Sequence, residues 1–160
     1  MRAWLLTGLV VLAGAAIQPT VMAASPWAAE EAAALGVVDA YIAAFNARDP
    51  QAFAATLHYP HMRVDGLGRP ALWLQPEDVA AGLDVAALEA TGWAYSRFDE
   101  RRVVQSGQEK VHVAVVFTRY RADGTPMHTQ DSLYIVTRRD GRWGIQVRSS
   151  FLEQVQAEQR

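Results

Sequence analysis

The segment LHYPHMRVDG, residues 57 to 66, gathers His58, Tyr59, His61, Arg63 and Asp65 into ten positions of a chain that is 51% hydrophobic. An imidazole that titrates near neutrality and a carboxylate that can take a proton are the ordinary parts of an acid–base site. If the segment is a strand, His61, Arg63 and Asp65 share one face and Met62 and Val64 share the other. Such alternation is the usual sign of a half-buried strand, so the favoured expectation turns Met62 and Val64 to the core and the polar trio to water. The alternative is that the trio lines an internal cavity. His58 is expected to cap or cover the end of a preceding short helix.

Other chemistries are poorly supplied. His58, His61, His112 and Asp65 are the candidate metal ligands, but Pro60 interrupts a helix between the first two histidines. There is no HExxH, no cysteine and no carboxylate cluster, so neither a metal nor another cofactor is expected. Ser149 and Ser150 lie in a strand-like run without the GxSxG elbow that would expose a nucleophile. Arg97, Asp99 and Glu100-Arg101-Arg102 read as a solvated strand edge.

Trp73, Trp93, Tyr95, Phe117, Tyr134, Trp143 and Phe151 are mostly core residues by expectation, with Trp93 and Tyr134 also able to wall a pocket. His112 and Arg148 interrupt strands that are otherwise apolar or neutral. Arg148 is either the anchor of an anionic ligand inside the domain or part of a face that pairs two copies. The ligand-binding candidates are therefore His61, Arg63, Trp93, His112, Tyr134 and Arg148.

These side chains must be positioned by a chain of 160 residues, enough for one domain. Residues 1–23 hold Arg2, an apolar run from Ala3 to Ile17, Pro19, and small residues at Val21 and Ala23. That is the layout of a secretory signal peptide cut after Ala23, and the run is shorter than the roughly 20 residues of a membrane span. A periplasmic or secreted location follows as an expectation, without a membrane anchor after cleavage. The net charge of −2 is spread through both signs and offers no stripe for nucleic acid.

Residues 24–30 are expected to be a flexible linker, 31–153 the domain and 154–160 a tail. Leu35, Val38, Tyr41, Ile42 and Phe45 recur at helical spacing from Glu30 to Asn46. Asp49-Pro50 starts a short second helix that carries Phe53 and Leu57 inward. Pro60 closes it, a strand covers His61 to Asp65, and GLGRP turns. A third helical stretch spans Gln75 to Ala90 with a break at Gly82. Four strand-like runs follow: Trp93–Val104, Lys110–Tyr120, Met127–Arg139 and Arg142–Phe151. Asp140-Gly141 between the last two is the strongest hairpin signal in the chain. About three helical segments and then an antiparallel meander predict an α+β domain.

AYIAAFNARDPQAFAATL, KVHVAVVFTRY and TRRDGRWGIQVRSSF, in that order, resemble the NTF2-like superfamily (the SnoaL-like and ketosteroid isomerase-like proteins), over about residues 30 to 152. The combination of HYPH with the last two looks most like an uncharacterised exported branch. The resemblance implies a cone of helices on a curved, mostly antiparallel sheet that encloses a small apolar cavity with a few polar anchors. It implies a homodimer, and a small apolar or anionic molecule as ligand. Aligning YIAAFNARD with the first helix of ketosteroid isomerases sets Tyr41 on their oxyanion-hole tyrosine and Asp65 on their general base. Their third group, a protonated carboxylic acid, falls near Ser132 or Leu133, where this chain has no acid. Three expectations result: a binding domain, an isomerase- or cyclase-like enzyme using Asp65 and Tyr41, or a non-catalytic dimeric accessory domain.

Overall fold

Helix α1 (Ala28–Ala47) forms where alanine is dense and buries Ala34, Val38, Tyr41 and Ala44, one stripe at helical spacing. The computed structural model describes residues 24–151, so the expected signal peptide at 1–23 and the tail at 154–160 lie outside the described residues. The helix starts earlier than the expected linker allows. Ser25 Oγ donates to Glu31 over 2.6 Å, a contact that holds the first turn. Arg48 ends α1 in the left-handed region at φ 59°. Helix α2 (Pro50–Ala55) then begins as expected, with the Asp49 carboxylate accepting from the amides of Gln51 and Ala52 and proline in the first turn.

Strand β1 (Leu57–Val64) starts four residues before the expected position, so His58 belongs to the strand and does not cap α2. It pairs antiparallel with β2 (Pro70–Trp73), an edge strand that the sequence pattern did not reveal. Its four residues are too few to carry a period, and its proline sits at the first position, where no ladder bond is lost. Helices α3 (Pro76–Gly82) and α4 (Val85–Ala90) divide the third helical stretch near Gly82, with Asp84 capping the second.

The meander is β3 (Tyr95–Gly107), β4 (Lys110–Tyr120), β5 (Pro126–Arg139) and β6 (Arg142–Ser150). Asp140 at φ 51° and Gly141 at φ 76° make the two-residue β5–β6 turn, both with positive φ as that turn requires. The six-stranded sheet runs β2-β1-β6-β5-β4-β3 and is antiparallel except where β1 lies parallel to β6. The fold is therefore the expected mixed α+β arrangement, with helices on one face of an open sheet.

The core lies between α1, α2 and that face. Val111, Val113 and Val115 of β4, Tyr134 and Val136 of β5 and Ile145 of β6 meet Val38, Tyr41 and Phe53. Each fully buried aliphatic side chain contributes about 1.5–3 kcal/mol. Trp73 and Trp143 pack at the margin of this core, and Phe117 is buried beyond it.

Candidate functional site

A bulge decides where Arg148 points. Val136 pairs with Ile145 and Ile135 with Val147, so Gln146 is one residue too many for the ladder. In an unbroken strand Ile145 and Arg148, three apart, would face opposite sides. With the bulge both face the helices, and Tyr134 lies directly across from Arg148.

The Arg148 guanidinium lies inside the domain, and the residue is only 9% exposed. Its carbon sits 5.9 Å from the Tyr41 ring, 5.7 Å from Phe117 and 5.6 Å from Tyr134, all within cation–π range. Nη1 donates to the Tyr41 hydroxyl at 3.0 Å, and Nη2 to Ser150 Oγ at 3.4 Å. Burial opposes the charge of Arg148, and the hydroxyl acceptors of Tyr41 and Ser150 offset part of that cost. Burial pushes the Tyr134 hydroxyl up, so it stays protonated and able to donate.

Two further arginines share this interior. Arg63 is the direct neighbour of Arg148 across the parallel β1–β6 ladder. Arg119 continues the inward row Val111, Val113, Val115, Phe117 of β4. Burial pushes the pKa of each down to about 10, and the charge of Arg148 is the next cause for both. The Nε atoms of Arg63, Arg119 and Arg148, and Ser132 Oγ, are buried without a hydrogen-bond partner among the described residues. No described carboxylate forms an ion pair with any of the three. The result is a cationic patch with hydroxyls beside it, chemically suited to holding an anion.

The polar face of β1 is thus the inner one. His61 is 2% exposed and Met62 40%, the reverse of the favoured expectation from alternation. His61 Nδ1 lies 3.0 Å from the Ile145 carbonyl, and its ring stacks on Trp73 with centroids 5.5 Å apart. Burial, with help from Arg148 and Arg63, lowers its pKa to about 4, so the ring is neutral near pH 7.

Asp65 serves a different purpose. Its carboxylate accepts from the amides of Leu67 and Arg69, both at 2.9 Å, and pairs with the Arg69 guanidinium at 2.6 Å. The Arg69 side-chain hydrogen bond holds its pKa below the usual carboxylate value. It is the clamp of the β1–β2 turn. Tyr41, the other member of the pair expected from the isomerase alignment, accepts from Arg148, while Asp65 accepts from Arg69.

Trp93 is buried against Phe45, with Nε1 donating to Ser96 Oγ at 2.9 Å, and belongs to the packing under β3. His112 alternates with the buried valines of β4 and so faces the other side of the sheet. Of the sequence candidates, Tyr41, Arg63, Tyr134 and Arg148 come together, with His61 beside them. Arg119 and Ser132 were not foreseen. The pattern KVHVAVVFTRY holds the signal for Arg119, because strict alternation from Val111 sets a charge on the apolar face. The rings of Tyr41, Phe53 and Tyr134 pack together beside Arg148: Tyr41 meets Phe53 at 4.5 Å and Tyr134 at 5.5 Å between ring centroids.

A family model described as NTF2-like protein (DUF6841) matches residues 30–150. The chain belongs to this family. No curated protein matches the sequence. Among solved structures, this NTF2-like protein is similar to a protein of unknown function with a cystatin-like fold from Nostoc punctiforme PCC 73102. That pair has 12% identity and a TM-score of 0.63, covering 77% of this chain and 90% of the other. An NTF-2 like protein of unknown function from Shewanella oneidensis MR-1 gives 14% identity and a TM-score of 0.59, over 76% of this chain and 98% of the other. A ketosteroid isomerase-like protein from Erwinia carotovora atroseptica SCRI1043 gives 19%, 0.57, 76% and 94% in the same order. At such identities the likeness carries the fold, and function has to be argued from the site.

Proposed function

We propose that this NTF2-like domain binds a small molecule whose anionic end is held by Arg148. One observation carries the reading: a nine-tenths-buried guanidinium whose hydrogen-bond partners are hydroxyls and not a carboxylate. A charge taken out of water without a counter-ion is costly, and an incoming anion removes that cost. The aromatic rings of Tyr41, Phe117 and Tyr134 suit a ligand that is otherwise apolar.

The acid–base enzyme reading has less behind it. Its proposed base, Asp65, is committed to Arg69 and to the turn amides, and burial leaves the nearby His61 neutral. A dimeric assembly is the companion proposal, supported by Leu133 and Phe151 beside an outer-face recess of about 260 Å³. Export through residues 1–23 is a further proposal that rests on the apolar run and the small residues before Ala24.

A thermal-shift screen of acidic and neutral small molecules at constant ionic strength tests the binding reading. A ligand at a hundred times its Kd adds about 2.7 kcal/mol of stability. Acidic compounds are expected to raise the Tm of the natural chain and to leave Arg148→Met unmoved. A response confined to neutral compounds, or equal in the variant, would overturn it.

A further inference from the structure

We propose that Arg63, Arg119 and Arg148 form a single cradle for a dianionic phosphoryl group, the charged end of a small phosphate monoester. This rests on the anion-binding reading above and narrows it to a ligand class.

The first argument is charge. Three arginines stand on the inner face, Arg63 beside Arg148 in the ladder and Arg119 on the inward row of β4, and no described carboxylate pairs with them. A carboxylate or sulfonate would offset one positive charge and leave two in mutual repulsion. A phosphate monoester, whose second ionisation falls near pH 6, brings close to two negative charges at neutral pH. Arginine is also the residue whose planar fork matches phosphate oxygens.

The second argument is direction. Four buried donors lack partners among the described residues: Nε of Arg63 on β1, of Arg119 on β4 and of Arg148 on β6, and the hydroxyl of Ser132 on β5. They come from β1, β6, β5 and β4, four strands that are consecutive neighbours in the sheet, and so from several positions along its inner face. A carboxylate offers two oxygens in a plane. A phosphoryl group offers three oxygens in a pyramid and can answer donors that do not share a plane. Ser132 and Tyr134 stand on the same inward row of β5, which adds hydroxyl donors and no negative charge. The rings around Arg148 keep water from screening the contact, which strengthens it.

The unliganded domain should therefore carry a built-in repulsion that the phosphoryl group relieves. Removing one guanidinium should do the same. That gives a signature that a purely structural arginine would not produce.

The test compares phenyl phosphate, benzenesulfonate, benzoate and inorganic phosphate against the full chain, at pH 7.5 and fixed ionic strength. Phenyl phosphate is expected to raise Tm by more than ~3 °C, and more than either monoanion with the same ring. Inorganic phosphate should compete with it in phosphorus NMR, broadening or shifting its resonance on the natural chain. Arg63→Met and Arg119→Met should melt no lower than the natural chain and lose the phosphate response. Benzoate or benzenesulfonate matching phenyl phosphate would overturn the dianion inference and leave the anion-binding reading standing. No response to any anion would overturn both. Variants that melt lower yet still respond to phenyl phosphate would make the arginines structural. If neither variant folds, the NMR result on the natural chain decides: a phenyl phosphate line unchanged by the protein rejects the cradle.

Discussion

Arg148 Nη1 donates to the Tyr41 hydroxyl over 3.0 Å, joining β6 to α1 across 107 positions of sequence. The bond ties the helix layer to the sheet through a buried cation whose partners are hydroxyls. Tyr41→Phe keeps the ring contacts with Phe53 and Tyr134 and deletes the hydroxyl that accepts from Arg148 and bonds Tyr134. A hydrogen bond to a charged group is worth about 1.5–3 kcal/mol, so urea unfolding of Tyr41→Phe is expected to show a loss in that range. A stability equal to that of the natural chain would mean that Arg148 finds another acceptor.

Asp65 and Arg69 clamp the β1–β2 turn, and the carboxylate also holds the amides of Leu67 and Arg69. Asp65→Asn should lower Tm while leaving any ligand response intact, because the described contacts of Asp65 go to Arg69 and the turn amides and none goes to Arg63, Arg119 or Arg148. The sign with pH follows from the lowered pKa: the contribution is complete above the unfolded carboxylate value and disappears as pH falls through the folded one. A variant that folds normally but loses ligand binding would return Asp65 to the site.

His58 and His61 make the domain acid-sensitive at milder pH. Burial holds both near a pKa of about 4, below the ordinary 6.5, so the folded state binds fewer protons than the unfolded one in between. Their contribution is complete above about 6.5 and is lost as pH falls from there toward 4. Thermal melts between pH 7.5 and 4.5 should show falling Tm, with a shallower fall in His61→Phe. A flat profile would place the imidazoles in contact with water.

Gly141 occupies the second central position of the β5–β6 turn at φ 76°, and a Cβ there meets nothing within 4 Å. The cost of Gly141→Val is therefore backbone strain alone, about 1–3 kcal/mol for a β-branched residue at positive φ. Chemical denaturation measures it, and Gly141→Asn, which tolerates that region, should recover much of the loss.

The helices and the closing hairpin were legible because their signals are local. Asp49-Pro50 caps a helix wherever it occurs, and Asp140-Gly141 can supply the two positive φ values that a tight hairpin needs. The edge strand β2 was not legible, since four residues beginning with proline carry no period, and their only pairing partner is the preceding strand. Tyr41 and Arg148 stood out individually by type, while Arg119 shows only when the alternation of KVHVAVVFTRY is followed from Val111 to its end.

Sequence alone determined the family, the α+β order of elements and the turn at Asp140-Gly141, because each depends on residues close together in the chain. Tertiary structure decided which side of the sheet the chemistry occupies. His61, Arg63 and Asp65 alternate with Met62 and Val64 equally well in either orientation, and a strand with period two has no inside until its partners are known. The partner of β1 is β6, far along the chain, and the ladder that sets Arg63 beside Arg148 is parallel. Arg148 itself is turned inward by a single extra residue at Gln146. Neither the long-range pairing nor the one-residue bulge leaves a mark in local composition, yet together they bring the positive charges to one interior.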